Sequence, residues 1–223
     1  LKKTFSKSTD IALRPIVINA TTDFTAYLFC VDGMINSVLF AEAVLKPISI
    51  NTKLSECETE DDIINLLKDG IAYHAFAGIT DDAQMLMQVV LSGMAAIFFD
   101  GGKAVYFDVR LFDRRAIQEP QDESSVKGAK DCFVETLRVN TSLIRRRIRS
   151  PQLVIEQDIL GKVSKIDYAI AYIDGIADKN VIERLKNRIK SIDIDNTPTL
   201  SFIEENVVEH KFSPFPQAFC SQR

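Results

Sequence analysis

Residues 172–177 read Tyr-Ile-Asp-Gly-Ile-Ala, YIDGIA, and residues 30–35 read Cys-Val-Asp-Gly-Met-Ile, CVDGMI. Each closes a run rich in β-branched and aromatic residues, DFTAYLFCV at 23–31 and KIDYAIAYID at 165–174, that reads as a strand. Each then opens into an amphipathic run. A capping residue stands four places after each aspartate, Asn36 after Asp32 and Asp178 after Asp174. The pairs Asp32-Gly33 and Asp174-Gly175 therefore read as structural corners from strand to helix, built once in each half of the chain. Glycine supplies a positive φ and aspartate bonds its own backbone. Carboxylates at strand C-termini also sit where open α/β sheets bind ligands. No GxGxxG or GxxxxGK[ST] surrounds either copy, so turn chemistry is the favoured reading. The implied fold class is α/β, as two small α/β lobes with mixed sheets.

Punctuation between the corners fills in the lobes. Asn36 caps SVLFAEAVLK, and Pro47 is expected to stop that helix. TEDDIINLLKDG (59–70) reads as a helix capped by Thr59, with acids in its first turn and Gly70 as a left-handed C-cap. TDDAQMLMQVVLSG (80–93) repeats the grammar, with Thr80 as cap and Gly93 as terminator. Two apolar strands flank Asp100-Gly101-Gly102, a hairpin signal. RRAIQEPQDESSVKG (114–128) is polar and without apolar period, and reads as a connector. A helix is then expected from about Ala129 to Arg149, with Phe133, Leu137, Ile144 and Ile148 on one side. Two strands joined around Gly161 come next, then a helix capped by Asp178 with Val181, Leu185, Arg188/Ile189 and Ile192 as its stripe. A short helix in TLSFIEENVVEH comes last. The domain bounds are 1–115 for the first lobe, 116–209 for the second with its charged connector and arginine-rich helix, and 210–223 for an extended tail.

Composition excludes several classes. With 223 residues and 46% hydrophobic content the chain buries a core. A net charge of -4 argues against a dedicated nucleic-acid binder. The cysteines at 30, 57, 132 and 220 and the histidines at 74 and 210 are dispersed, without zinc spacing. Such thiols suit a reducing compartment. The acidic run Glu56–Asp62 lacks the glycine and spaced ligands of a calcium loop. There is no GxSxG and no HExxH, and His74 in AYHAFAG reads as a core residue. No catalytic residue, cofactor or metal is expected, and the chain is expected not to be an enzyme. Its first residue, Leu1, and its end at FCSQR suggest a piece of a longer protein.

The densest chemistry is LRVNTSLIRRRIR (137–149), where Arg138, Arg145 and Arg149 share a helical face. Anionic ligands, RNA and acidic membranes are functional readings. The favoured reading is carboxylate pairing, internal or between subunits, with Asp131, Glu135, Glu119, Asp122 and Glu123 as the nearest acids.

Several blocks together resemble the GerA-type spore germination proteins, the A subunits of nutrient germinant receptors. RRAIQEPQDESSVKGAKDCFVETLRVNTSLIRRRIRSPQL resembles the family's signature block through Arg115, Glu119, Pro120, Glu123, Gly128, Phe133, Glu135, Asn140, Leu143, Ile144, Arg145, Arg146 and Arg147. VLSGMAAIFFDGGKAVYFDVR, YIDGIADKNVIERLKNRIKSIDID and FPQ at 215–217 resemble flanking blocks. The chain departs from the pattern at Gly128-Ala129, where Gly-Pro is usual, and after FPQ, where Thr-Glu-Arg-Pro is usual. The resemblance implies a non-enzymatic, soluble N-terminal domain of a spore inner-membrane protein, facing the spore core. It implies two lobes reminiscent of ABC-transporter substrate-binding proteins, and a tail leading toward membrane helices. It implies B and C subunits as partners and a homo-oligomer of A subunits, while the net charge argues for no nucleic acid. The expected role is receptor assembly and coupling of the nutrient signal to ion release. The interaction candidates are Arg115, Glu119, Glu123, Glu135, Asn140, Arg145, Arg146 and Arg147. The alternative is a module that binds a small-molecule nutrient between the lobes.

Overall fold

The computed structural model describes residues 3–18, 25–72, 74–111, 132–161, 163–192 and 200–208. The chain divides into two compact units. Unit 1 comprises Leu1–Phe112 and Thr141–Pro151, and unit 2 comprises Asp113–Asn140 and Gln152–Arg223. The sequence reading assigns the whole arginine-rich helix to the second lobe, whereas the division falls inside that helix, between Asn140 and Thr141.

Unit 1 is a five-stranded sheet in the order β1-β2-β4-β5-β3. Its strands are β1 (Ile11–Ile16), β2 (Ala26–Val31), β3 (Phe76–Thr80), β4 (Ala95–Phe99) and β5 (Ala104–Phe107). Every pairing is antiparallel, where mixed sheets are expected from the sequence. Alternation along the strands divides the core into two layers. Ala95, Ile97, Phe99, Val105 and Phe107 pack with Phe40, Val44, Ile48, Leu54, Ile63 and Leu67. On the other side Phe29, Val31, Ala96 and Ala104 pack with Leu86, Val90, Leu91 and Phe5. β1 and β3 carry no strong turn signals beside them and escape the sequence reading. β1 contains Pro15, which its position at the sheet edge tolerates.

The helices of unit 1 show where local punctuation yields to packing. α1 (Ser37–Phe40) is capped by Asn36, whose Oδ1 accepts from Leu39 N–H at 3.0 Å. Pro47 does not stop this segment, because a π-helical turn over Ala41–Leu45 precedes α2 (Lys46–Ile50) and places Pro47 in the first turn of that helix. Lys46 N–H bonds Ala41 O, so the π turn carries the backbone up to the proline. α3 (Glu60–Leu66) has the full capping box of Thr59 and Asp62. It runs on as a π-helical turn through Leu67–Ile71, so Gly70 lies within the turn and is not a left-handed cap. α4 (Ala83–Leu91) is capped by Asp82, not Thr80, whose hydroxyl accepts from Asp82 N–H instead. Gly93, at φ +99°, does terminate it. His74 is exposed, not in the core, because it stands in the loop between that π turn and β3.

In unit 2, β6 (Leu153–Leu160) and β7 (Ile166–Ile173) form an antiparallel hairpin around Gly161. α6 (Lys179–Ser191) is capped by Asp178 and buries Ile182 and Ile189; Val181, expected on that stripe, is exposed. α7 (Leu200–Val207) lies beyond it and accepts a hydrogen bond from Arg188 to the Val207 carbonyl at 2.8 Å. α5 is shorter than its periodicity predicts, Leu137–Arg147. Residues 132–136 are not helical, and Phe133 is exposed. Cys30, Cys57 and Cys132 are buried. The whole connector, 114–128, and the 210–223 tail lie outside the described residues.

Candidate functional site

The charged block is organised by its own helix. In the first turn of α5, Asn140 clasps the preceding segment. Its Oδ1 accepts from Val134 N–H at 2.7 Å, and its Nδ2 donates to Val134 O at 2.6 Å. One amide side chain thus satisfies both backbone groups of Val134, as a neighbouring strand would. That clasp, with Val139 and Asn140 donating to Thr136 O, begins the helix at Leu137.

Further along, Arg145 turns into unit 1 and is 0% exposed. Its Nε donates to Asp10 Oδ2 at 2.9 Å and its Nη2 to Asp10 Oδ1 at 2.8 Å, a bidentate fork. The Ser8 hydroxyl lies 3.5 Å from Nη2, and Ser150 O accepts from Nη1 at 3.4 Å. Asp10 is itself only 3% exposed, so neither charge has water as an alternative partner. Arg146 donates to Leu111 O at 2.9 Å. Arg138, Arg147 and Arg149 are exposed, as is Glu135. Thus two consecutive arginines hold the returning segment 141–151 against the N-terminal strand region and the end of the β5 segment, all within unit 1. Arg115, Glu119 and Glu123 lie outside the described residues, as do Asp122 and Asp131. Asp10 and Ser8 carry no motif and stand far from Arg145 in sequence; the one signal for them is an aspartate directly before a β-branched run.

The two Asp-Gly corners are alike in three dimensions. Asp32 N–H donates to Asp10 O at 2.7 Å and Asp174 N–H to Gln152 O at 2.8 Å. Asp10 and Gln152 each immediately precede the neighbouring antiparallel strand. Gly33 and Gly175 have φ of 81° and 87°. The corners differ at the residue after the glycine: Met34 is 2% exposed, and its counterpart Ile176 is 81% exposed. In the first unit, therefore, the residue that supports the corner through its carbonyl also holds Arg145 through its carboxylate.

Unit 2 contains a second polar cluster. Glu156 accepts from the Tyr172 hydroxyl at 2.6 Å and pairs with Lys186 at 2.8 Å. Burial, then this hydrogen bond, pushes the Tyr172 hydroxyl well above the usual phenol range. The bond to Glu156 raises Lys186 against its own desolvation. The cluster ties α6 to the sheet. Among the described residues no group of His, Cys, Asp and Glu is placed to hold a metal ion. Among them, too, no helix is long and apolar enough to cross a membrane.

These features define a two-unit α/β domain whose most specific charges hold its own returning chain in place. Comparison with known proteins gives the family. Residues 1–223 match the family described as Bacillus/Clostridium GerA spore germination protein, and the chain belongs to it. It is 31% identical to Spore germination protein B1 of Bacillus subtilis (strain 168), over 100% of this chain and 45% of that protein. It is 31% identical to Stage V sporulation protein AF of the same organism, over 97% of this chain and 43% of that one. The chain spans less than half the length of these relatives. The fold is that of the crystal structure of the N-terminal domain of the A subunit of the Bacillus megaterium spore germinant receptor GerK3. The TM-score is 0.71 at 22% identity, covering 100% of this chain and 80% of that one.

Proposed function

We propose that this chain serves as a non-enzymatic domain of a spore germinant receptor A subunit, on the core-facing side of the inner membrane. It acts in receptor assembly with B and C subunits and couples the nutrient signal to ion release. The observation that carries this reading is the family match across residues 1–223, joined to a charged block that contains no nucleophile–base pair. The exposed charges of that block, Glu135 and Arg138 in unit 2 and Arg147 in unit 1, are each offered to partners by their own unit. Arg145 and Arg146 hold the segment that carries Arg147 within unit 1. The division of labour is testable in spores. Arg147→Glu and Glu123→Lys are the test substitutions, with the melting temperature of each variant as the control for folding. They should reduce recovery of B and C subunits with the A subunit and slow nutrient germination. Normal co-purification and normal germination with both substitutions would sink the proposal.

A further inference from the structure

In unit 2, one strand edge is not used by the described chain. Asp174 N–H donates to Gln152 O one residue beyond the Leu153↔Ile173 pair. Antiparallel pairs alternate between those that exchange hydrogen bonds and those that do not. Counting back from Asp174, the backbone groups of Tyr172, Ile170 and Tyr168 face β6. Those of Asp167, Ala169, Ala171 and Ile173 point away from it. Among the described residues β6 is the sole neighbour of β7. Of the usual protections of an edge β7 has one charge, Asp167: the register runs unbroken from Ile166 to Ile173, without bulge, proline or lysine.

We propose that two copies of this chain pair through this edge, β7 against β7, antiparallel about Ile170. A two-fold contact requires a surface complementary to itself. The strand meets that requirement, because Tyr168-Ala169-Ile170-Ala171-Tyr172 reads the same in both directions. Rotation about Ile170 sets Ala169 opposite Ala171 of the second copy and Tyr168 opposite Tyr172. The hydrogen-bonding phase agrees, since Ala169 and Ala171 are both residues whose N–H and C=O point outward. The side-chain phase agrees too: the alanines share one face, and the tyrosines and Ile170 the other. Small side chains leave the backbone open, and Ala171 is exposed. Asp167, the one charged residue of β7, falls opposite Ile173, so no like charges meet. Unit 2 alone carries this pairing, which does not depend on a role in germination.

Sedimentation of the 223-residue chain tests it. A monomer–dimer equilibrium is expected, with a dissociation constant on the order of 10⁻⁵ M for so small an interface. Ala171→Lys should weaken it at least about tenfold, as an edge lysine does, with circular dichroism and melting temperature unchanged. In a Cys220→Ser background, Ile170→Cys should cross-link two copies at the two-fold axis. Ile166→Cys should not, because that position falls opposite Asp174. A monomer at every concentration, an unaltered equilibrium in Ala171→Lys, or equal cross-linking at both positions would overturn the proposal.

Discussion

Arg145 and Asp10 are each held by the other, and both are out of water, so removing one leaves a buried charge. Arg145→Met or Asp10→Leu alone should cost about 3–5 kcal/mol in denaturant unfolding. The double replacement should recover most of that loss, since an apolar pair of similar volume carries no desolvation penalty. A double mutant no more stable than either single would show that the fork is not the source. Tyr172 supplies a pH signature. Its folded value is raised above the ordinary phenol value of about 10, so the folded state binds that proton more tightly. The stability it contributes is full below about pH 10 and falls as pH rises from there toward the folded value. Lys186, also raised, has the same sign. Tyr172→Phe should therefore flatten the alkaline limb of stability measured by urea unfolding between about pH 9 and 11.5, and an unchanged limb would remove Tyr172 as its cause.

At the scale of elements, the short α5 is set by Asn140. Periodicity alone predicts a helix over 129–149, since apolar spacing cannot report a side chain that offers the backbone a competing partner. Asn140→Ala removes both hydrogen bonds to Val134 and should destabilise by about 1–3 kcal/mol, with loss of hydrogen-exchange protection at the Val134 amide. Asn140→Asp keeps the acceptor for Val134 N–H and sets a carboxylate against Val134 O, so it should be no better than alanine. Caps with a side chain in place, Asn36, Thr59 and Asp178, are legible because the capping bond spans two or three residues. Pro47 and Gly70 mislead for the complementary reason. A π-helical turn, held by the buried Val44 or Leu67, decides how the backbone passes each of them.

For the molecule as a whole, unit 1 is discontinuous in sequence. A piece ending at residue 112 leaves Asp10 without Arg145 and the carbonyl of Leu111 without Arg146. Such a piece should show poorly dispersed amide NMR spectra, while the full chain disperses; a well-folded 1–112 piece would make the returning segment dispensable. The sequence by itself determined the α/β class, the two Asp-Gly corners, the hairpins at Gly101 and Gly161, the helix caps at Asn36, Thr59 and Asp178 and the family, because each is written in residues close together or in one motif. Only the tertiary structure decided the partner of Arg145, the antiparallel order β1-β2-β4-β5-β3 and the assignment of 141–151 to unit 1. The reason is physical. Turns and caps are short-range hydrogen bonds, whereas a buried arginine takes whichever carboxylate the folded chain brings to it, here one 135 residues away.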